Sequence, residues 1–278
     1  MNSGTSSEIF PAWTGRLPAT LVGGATSRWL EPKCLTWNSY STESYLEKAA
    51  AAKLENRAPP NWFERIERCE ARATTLLCRL GLQPAVLSDT AHSDAQAMLR
   101  LADELLLNVP CIRQSVNAFV RSLHLIDSKG PDYDCSFSDP TIPFSIFISI
   151  PSSQGKNRLL RVLEAVVHET MHLQLSAWEL LHPIVQTSSD EATWYSPWKK
   201  THRKLGGVLP GMYVFHVVGY VYGELLGRGV LSASDKPFAV SRLAEIKDEL
   251  EQVAGVQGSQ GLSESGVELV VQVLTSHL

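Results

Sequence analysis

The spacing of apolar residues along the chain predicts helices for most of its length. From residue 42 to 80 an Ala- and Glu-rich sequence keeps helical spacing, broken at Ala58-Pro59-Pro60. Its second part, through Trp62, Ile66, Leu76, Leu77 and Leu80, is expected to end at Gly81. Residues 93–108 and 111–125 read as two more helices, interrupted at Pro110. The period then changes. After a turn at Ser136-Phe137-Ser138-Asp139-Pro140, the run 144–150 alternates with β-branched and aromatic residues until Pro151, which predicts one strand. A long helix follows over 157–181 and stops before Pro183. Residues 205–226 are apolar, with Gly206, Gly207, Gly211, Gly219 and Gly223 allowing close helix approach; helical segments at 239–254 and 262–278 come last. Residues 1–40, rich in Ser, Thr, Gly and Pro but holding Trp13, Trp29 and Trp37, read as an irregular arm. The expected fold is therefore mainly α: a single helical domain over 41–278, with a small β element next to the 157–181 helix.

Composition narrows the function classes. With 44% apolar residues, 278 residues can bury one large core or two modest ones. A net charge of -4, from 25 basic and 29 acidic residues, gives no electrostatic footprint for nucleic acid or an anionic membrane. The N-terminus has no basic region followed by an apolar run, and no stretch is read as a membrane span, so a cytoplasmic protein is expected. Cys34, Cys69, Cys78, Cys111 and Cys135 are odd in number and form no CxxC pair, which points to reduced thiols.

Chemistry concentrates at His168-Glu169-Thr170-Met171-His172. Residues at i and i+4 share a helix face, so both imidazoles can reach one divalent metal. The charge-free neighbours Val166, Val167, Met171, Leu173 and Leu175 imply a buried helix, in which paired imidazoles need partners to offset desolvation. Two His and a Glu suit either a zinc hydrolase, with Glu169 as general base, or two of the three ligands of a non-haem iron site. Glu164, four residues before His168, could accept a hydrogen bond from it, and Glu179 reads as an exposed helix carboxylate. The strand upstream is a candidate platform for edge pairing with an extended peptide. The polar, aromatic-rich connection 186–204 is expected to fold over the metal.

In order, then, come Ser-x-Ser-x-Pro, an alternating strand, HExxH, Tyr195-Ser196-Pro197-Trp198 and a Gly-rich helix containing Tyr213-Val214-Phe215. This order, over about residues 95–230, resembles the HExxH-motif family found beside ribosomally made peptide natural products, some members of which are iron- and 2-oxoglutarate-dependent peptide β-hydroxylases. The resemblance implies His168 and His172 as iron ligands and Ser196-Pro197-Trp198 as an active-site segment. It also implies a basic residue soon after that Trp, and Arg203 occupies the place where the family shows Arg-Pro. The planar fork of Arg suits the distal carboxylate of 2-oxoglutarate because it donates two parallel hydrogen bonds.

In one position the chain departs from the pattern. The family places a His before Gly-x-Tyr-x-Phe, a natural third ligand, whereas here the residue is Pro210. Glu191 is the first substitute: it lies 19 positions after His172, and two His plus one carboxylate is the set preferred by non-haem iron. His216, His202 and Glu224 are the others. The expected function is Fe(II)- and 2-oxoglutarate-dependent hydroxylation, or a related C–H oxidation, of a peptide or amino-acid-like substrate in natural product biosynthesis, with a carrier or precursor peptide as a candidate partner. The alternative is a zinc-dependent peptidase or amide hydrolase, and the third reading is a metal-free binding or partner protein.

Overall fold

The computed structural model describes residues 61–275 apart from 87, 128–129, 131–133, 140–141, 143, 153–154, 180–181 and 187–191. The expected arm at 1–40, the helical stretch before Pro59, Cys34 and Glu191 lie outside these residues. The architecture is mainly α with small sheets, as the apolar spacing predicts. The described residues fall into two compact units, one through Gln174 and one from Leu175.

In the first unit, α1 (Ala71–Arg79) ends on a Schellman turn. Gly81 takes φ 68°, its N–H donates to the Cys78 carbonyl at 3.1 Å, and the Leu82 N–H donates to Leu77 at 2.9 Å. The sequence reading is right about this stop and wrong about the start. Trp62–Glu64 forms one 3-10 turn. Ile66 then pairs in parallel with Leu123, so the expected helix through both residues does not exist. The backbone there is used as strand instead: Leu123 N–H donates to Arg65 and Glu67 N–H to Leu123, each at 2.9 Å.

Helix α2 (Asp89–Leu106) starts at Ser88, whose Oγ accepts from the Ala91 N–H, and α3 (Pro110–Phe119) carries Pro at its first turn, where no N–H is needed. Asp103 on α2 organises this corner. Its carboxylate takes both arms of the Arg113 guanidinium at 2.9 Å and the Trp62 indole N–H at 2.7 Å.

Residues 122–125, expected to continue a helix, are strand β1 (Ser122–Ile126). A short run buried on both faces gives no periodicity that separates helix from strand. With β2 (Ser136–Ser138) and β3 (Ser145–Ser149) it makes a sheet of order β1-β3-β2, β1 parallel and β2 antiparallel to β3. Two corrections follow. Ser136–Ser138 is strand rather than turn, and β3 is the central strand, so the edge-pairing platform proposed for it has no free edge. On one face His124, Phe147 and Phe137 stack in a row at 4.7 and 4.4 Å, packed with Ala73 and Leu77 of α1. The other face presents Ser136 and Ser138 to helix α4 (Arg158–Glu179).

The second unit holds the end of α4, a hairpin of β4 (Thr193–Ser196) and β5 (Thr201–Lys204), and helices α5 (Leu209–Gly227), α6 (Lys236–Val253) and α7 (Glu264–Thr275). Helix α5 is apolar all round, and its buried residues include Met212, Tyr213, Val217, Val218, Val221 and Leu225. By length and composition Leu205–Gly227 could cross a membrane, contrary to the sequence reading, yet 67% of its most apolar window is buried inside the protein. Gly266 at the start of α7 sits so close to Ile184 that a Cβ would meet the Ile184 carbonyl oxygen, while Ser263 N–H donates to that carbonyl at 3.1 Å.

Candidate metal centre

Helix α4 begins after Asn157 at φ 52°, tied down by Arg158, whose Nε donates to the Pro151 carbonyl at 2.9 Å. Val166, Val167, Met171 and Leu173 are buried at 2% exposure or less, which sets the roll of the helix and leaves His168 and His172 half-exposed together. Their Nε2 atoms lie 3.2 Å apart, with ring centroids at 4.8 Å. With Zn–N or similar bonds of about 2.0–2.1 Å, two nitrogens so spaced subtend about 100° at one ion, between the octahedral and tetrahedral angles. The donor pair therefore fits a first-row divalent metal.

Glu169 is one position, hence about 100°, further round the helix. It is 2% exposed and faces the sheet. Ser136 Oγ donates to Oε1 at 2.7 Å and Ser138 Oγ to Oε2 at 2.8 Å. Residues i and i+2 of a strand point to one face, so β2 delivers two hydroxyls to one carboxylate, offsetting the desolvation of a buried acid. Oε1 remains 3.9 Å from His168 Nε2. Sequence reasoning missed both serines as partners of Glu169; the signal was the Ser-x-Ser spacing, legible only once the segment is known to be a strand.

The third protein ligand lacks such definition. Glu191 is outside the described residues, and among the described residues no three His, Cys, Asp or Glu side chains group closely enough to hold a metal ion. The other candidates belong to the second unit. His202 is exposed on β5, edge-on to Tyr195 at 5.6 Å, and Glu224 pairs with Arg228 at 2.8 Å. His216 is fully buried, and burial pushes its pKa down to about 3, leaving the neutral imidazole, the form that binds metals. Glu179, expected to be exposed, is instead half-buried, and desolvation pushes its carboxyl up to about 7.

Ser196, Trp198 and Arg203 lie in the second unit, on or beside the hairpin. From Thr193 on, the expected connection over 186–204 is a hairpin, two strands joined by a turn at 197–200. Ser196, 1% exposed, pairs with Thr201 at its turn. Trp198 lies flat on Gly211, where a Cβ would come within 2.7 Å of the ring, and stacks on Phe215 at 5.2 Å and 11°. Its indole N–H donates to Glu249 at 3.0 Å. Arg203 sits opposite Trp194, exposed, with its Nε 3.2 Å from where a Gly207 Cβ would be.

Cys69, Cys78, Cys111 and Cys135 are free thiols. No protein-family model and no curated protein matches the chain.

Proposed function

We propose that this chain is a cytoplasmic, metal-dependent oxygenase that hydroxylates, or otherwise oxidises at carbon, a peptide or amino-acid-like substrate in natural product biosynthesis, in the manner of the HExxH family it resembles. The observation that carries the metal part is the 3.2 Å convergence of His168 and His172 Nε2. When bound, Fe(II) with 2-oxoglutarate would supply the activation of dioxygen. His168 and His172 would hold the metal, and Glu191 is the third ligand that the spacing along the chain offers first. The resemblance implies Arg203 for the distal carboxylate of 2-oxoglutarate and Ser196 and Trp198 as part of an active-site segment. A precursor peptide or carrier presents the substrate; nucleic acid and membrane have no part.

The two serine hydroxyls fix Glu169 in one orientation beside the histidine pair. A role in orienting the surroundings of the metal suits a carboxylate held in this way. The zinc hydrolase remains the second reading because Oε1 lies only 3.9 Å from His168 Nε2. Pro210 in place of a His supports the third, a metal-free binding protein.

Metal analysis of purified protein with succinate release from 2-oxoglutarate, Fe(II), ascorbate and candidate peptides tests the reading. Iron with succinate release sustains it; zinc with peptide cleavage replaces it with the hydrolase, and no stoichiometric metal with the binding protein. In the oxygenase, Arg203→Lys keeps the charge and loses the fork, so the KM for 2-oxoglutarate rises roughly ten- to a hundredfold, the equivalent of about 1.5–3 kcal/mol, at unchanged metal content.

A further inference from the structure

Two ligands of one tetrahedral or octahedral ion sit about 2.9–3.4 Å apart when metal–ligand bonds are about 2.0–2.1 Å. The two imidazole Nε2 atoms, at 3.2 Å, fall inside that window. Glu169 Oε1, at 3.9 Å from His168 Nε2, falls just outside it. A carboxylate is a better donor for a hard divalent ion than a serine hydroxyl, and Oε1 lies about 0.5 Å beyond the outer edge of that window from His168. What holds it there is visible: Ser136 and Ser138 donate to the two oxygens from the sheet side, at 2.7 and 2.8 Å. The strand that carries them is itself fixed, Ser136 opposite Ile148 and Ser138 opposite Ile146 on the central strand.

We propose that Ser136 and Ser138 are positioning residues that keep Glu169 from becoming a ligand of the metal held by His168 and His172, so that the place it would fill is left to an external ligand. The inference rests on the metal-binding reading above and adds a role for two residues outside the HExxH motif. A hydroxyl clamp on both oxygens fixes the carboxylate in rotation as well as position, which a single hydrogen bond would not. It also explains why a buried acid can sit beside a metal-binding pair without joining it.

Cobalt(II) tests this, because its visible absorption changes with the number and type of ligands. The full chain is titrated with Co(II) alone, and affinity and spectrum are read for wild type and variants, with circular dichroism as the check on folding. Glu169→Gln in the wild-type background is expected to leave the cobalt spectrum unchanged, since Glu169 is no ligand there, while the lost charge weakens binding by up to about tenfold. Ser136→Ala with Ser138→Ala frees the carboxylate. Its arrival at the metal is expected to tighten binding about tenfold, the lower end of the range by which groups around metal ligands move affinity, and to change the spectrum. Adding Glu169→Gln to that variant restores the wild-type spectrum and removes the gain in affinity. Ser136→Thr with Ser138→Thr keeps the hydroxyls and the wild-type values.

A change of the cobalt spectrum in Glu169→Gln alone would show that Glu169 is already a ligand and overturn the proposal, even if the double serine variant does not fold. So would a folded Ala/Ala variant that binds cobalt no more tightly than wild type. If wild type binds no more cobalt than His168→Ala, the metal-binding reading itself falls and takes the proposal with it, an outcome distinct from the other two.

Discussion

The two units bury different kinds of contact. The unit through Gln174 places charge and hydrogen bonds inside: Asp103 with Trp62 and Arg113, Glu169 with Ser136 and Ser138, and the Arg65 guanidinium on the Val120 carbonyl at 2.6 Å. The unit from Leu175 relies on close approach, with an indole on Gly211, a carbonyl against Gly266 and an apolar helix α5. Directional groups fix orientation, whereas flush surfaces fix distance. The side chains that need an orientation, the histidine pair and its neighbouring carboxylate, are in the unit with the buried polar contacts. In the other unit the motif residue Trp198 packs on Gly211 and Phe215 and donates its indole N–H to Glu249.

The largest effect expected is functional. His168→Ala or His172→Ala should abolish stoichiometric metal binding while circular dichroism keeps the wild-type helical signal, because Ala favours the helix and α4 is held by its buried apolar face. Metal retained in either variant breaks the assignment of the dyad.

Next is Asp103→Ala, which leaves an indole N–H and a guanidinium without their carboxylate. Urea unfolding should show a loss of about 3–5 kcal/mol, as for a buried pair with one partner removed. A cost under about 1 kcal/mol would mean that buried polarity does not distinguish the first unit.

In the second unit the sensitive change is a methyl group. Gly266→Ala drives a Cβ into the Ile184 carbonyl, so the helix must shift, at about 2–3 kcal/mol despite the better helix propensity of Ala. An unchanged Tm in a thermal scan would contradict that close approach.

The smallest effect depends on pH. The folded-state pKa of Glu179, about 7, lies above that of a free carboxyl, so the native state binds this proton more tightly than the unfolded one. Stability should therefore fall as pH rises from about 4.5 to about 7 and stay level above, as far as this group decides it. Glu179→Gln removes the penalty: relative to wild type it should be more stable at pH 8, by on the order of 1 kcal/mol after allowance for partial exposure, and no more stable at pH 4.5. Denaturation midpoints at the two pH values check the sign.

Much of this was legible beforehand where the signal is local. The stop at Gly81, the break at Pro110, the long helix before Pro183 and the i, i+4 histidines all follow from rules that act within one or two turns. Residues 122–125 were misread because the run of five buried residues to which they belong carries no period. Trp62 and Ile66 were misread because spacing compatible with a helix was instead used for a 3-10 turn and an added strand. Glu179 looked like a solvated carboxylate because nothing in its neighbours along the chain announces what covers it.

The sequence by itself determined that His168 and His172 converge, since helical geometry alone sets their separation once α4 forms, and it determined a mainly α fold through the spacing of its apolar residues. Only the tertiary structure decided what Glu169 does. Whether that carboxylate meets a metal, a water or two serine hydroxyls depends on a three-residue strand more than thirty positions earlier in the chain, brought against the helix by pairing with β3. A contact over that separation is chosen by which surfaces can be buried together, and no local pattern in the chain encodes that choice.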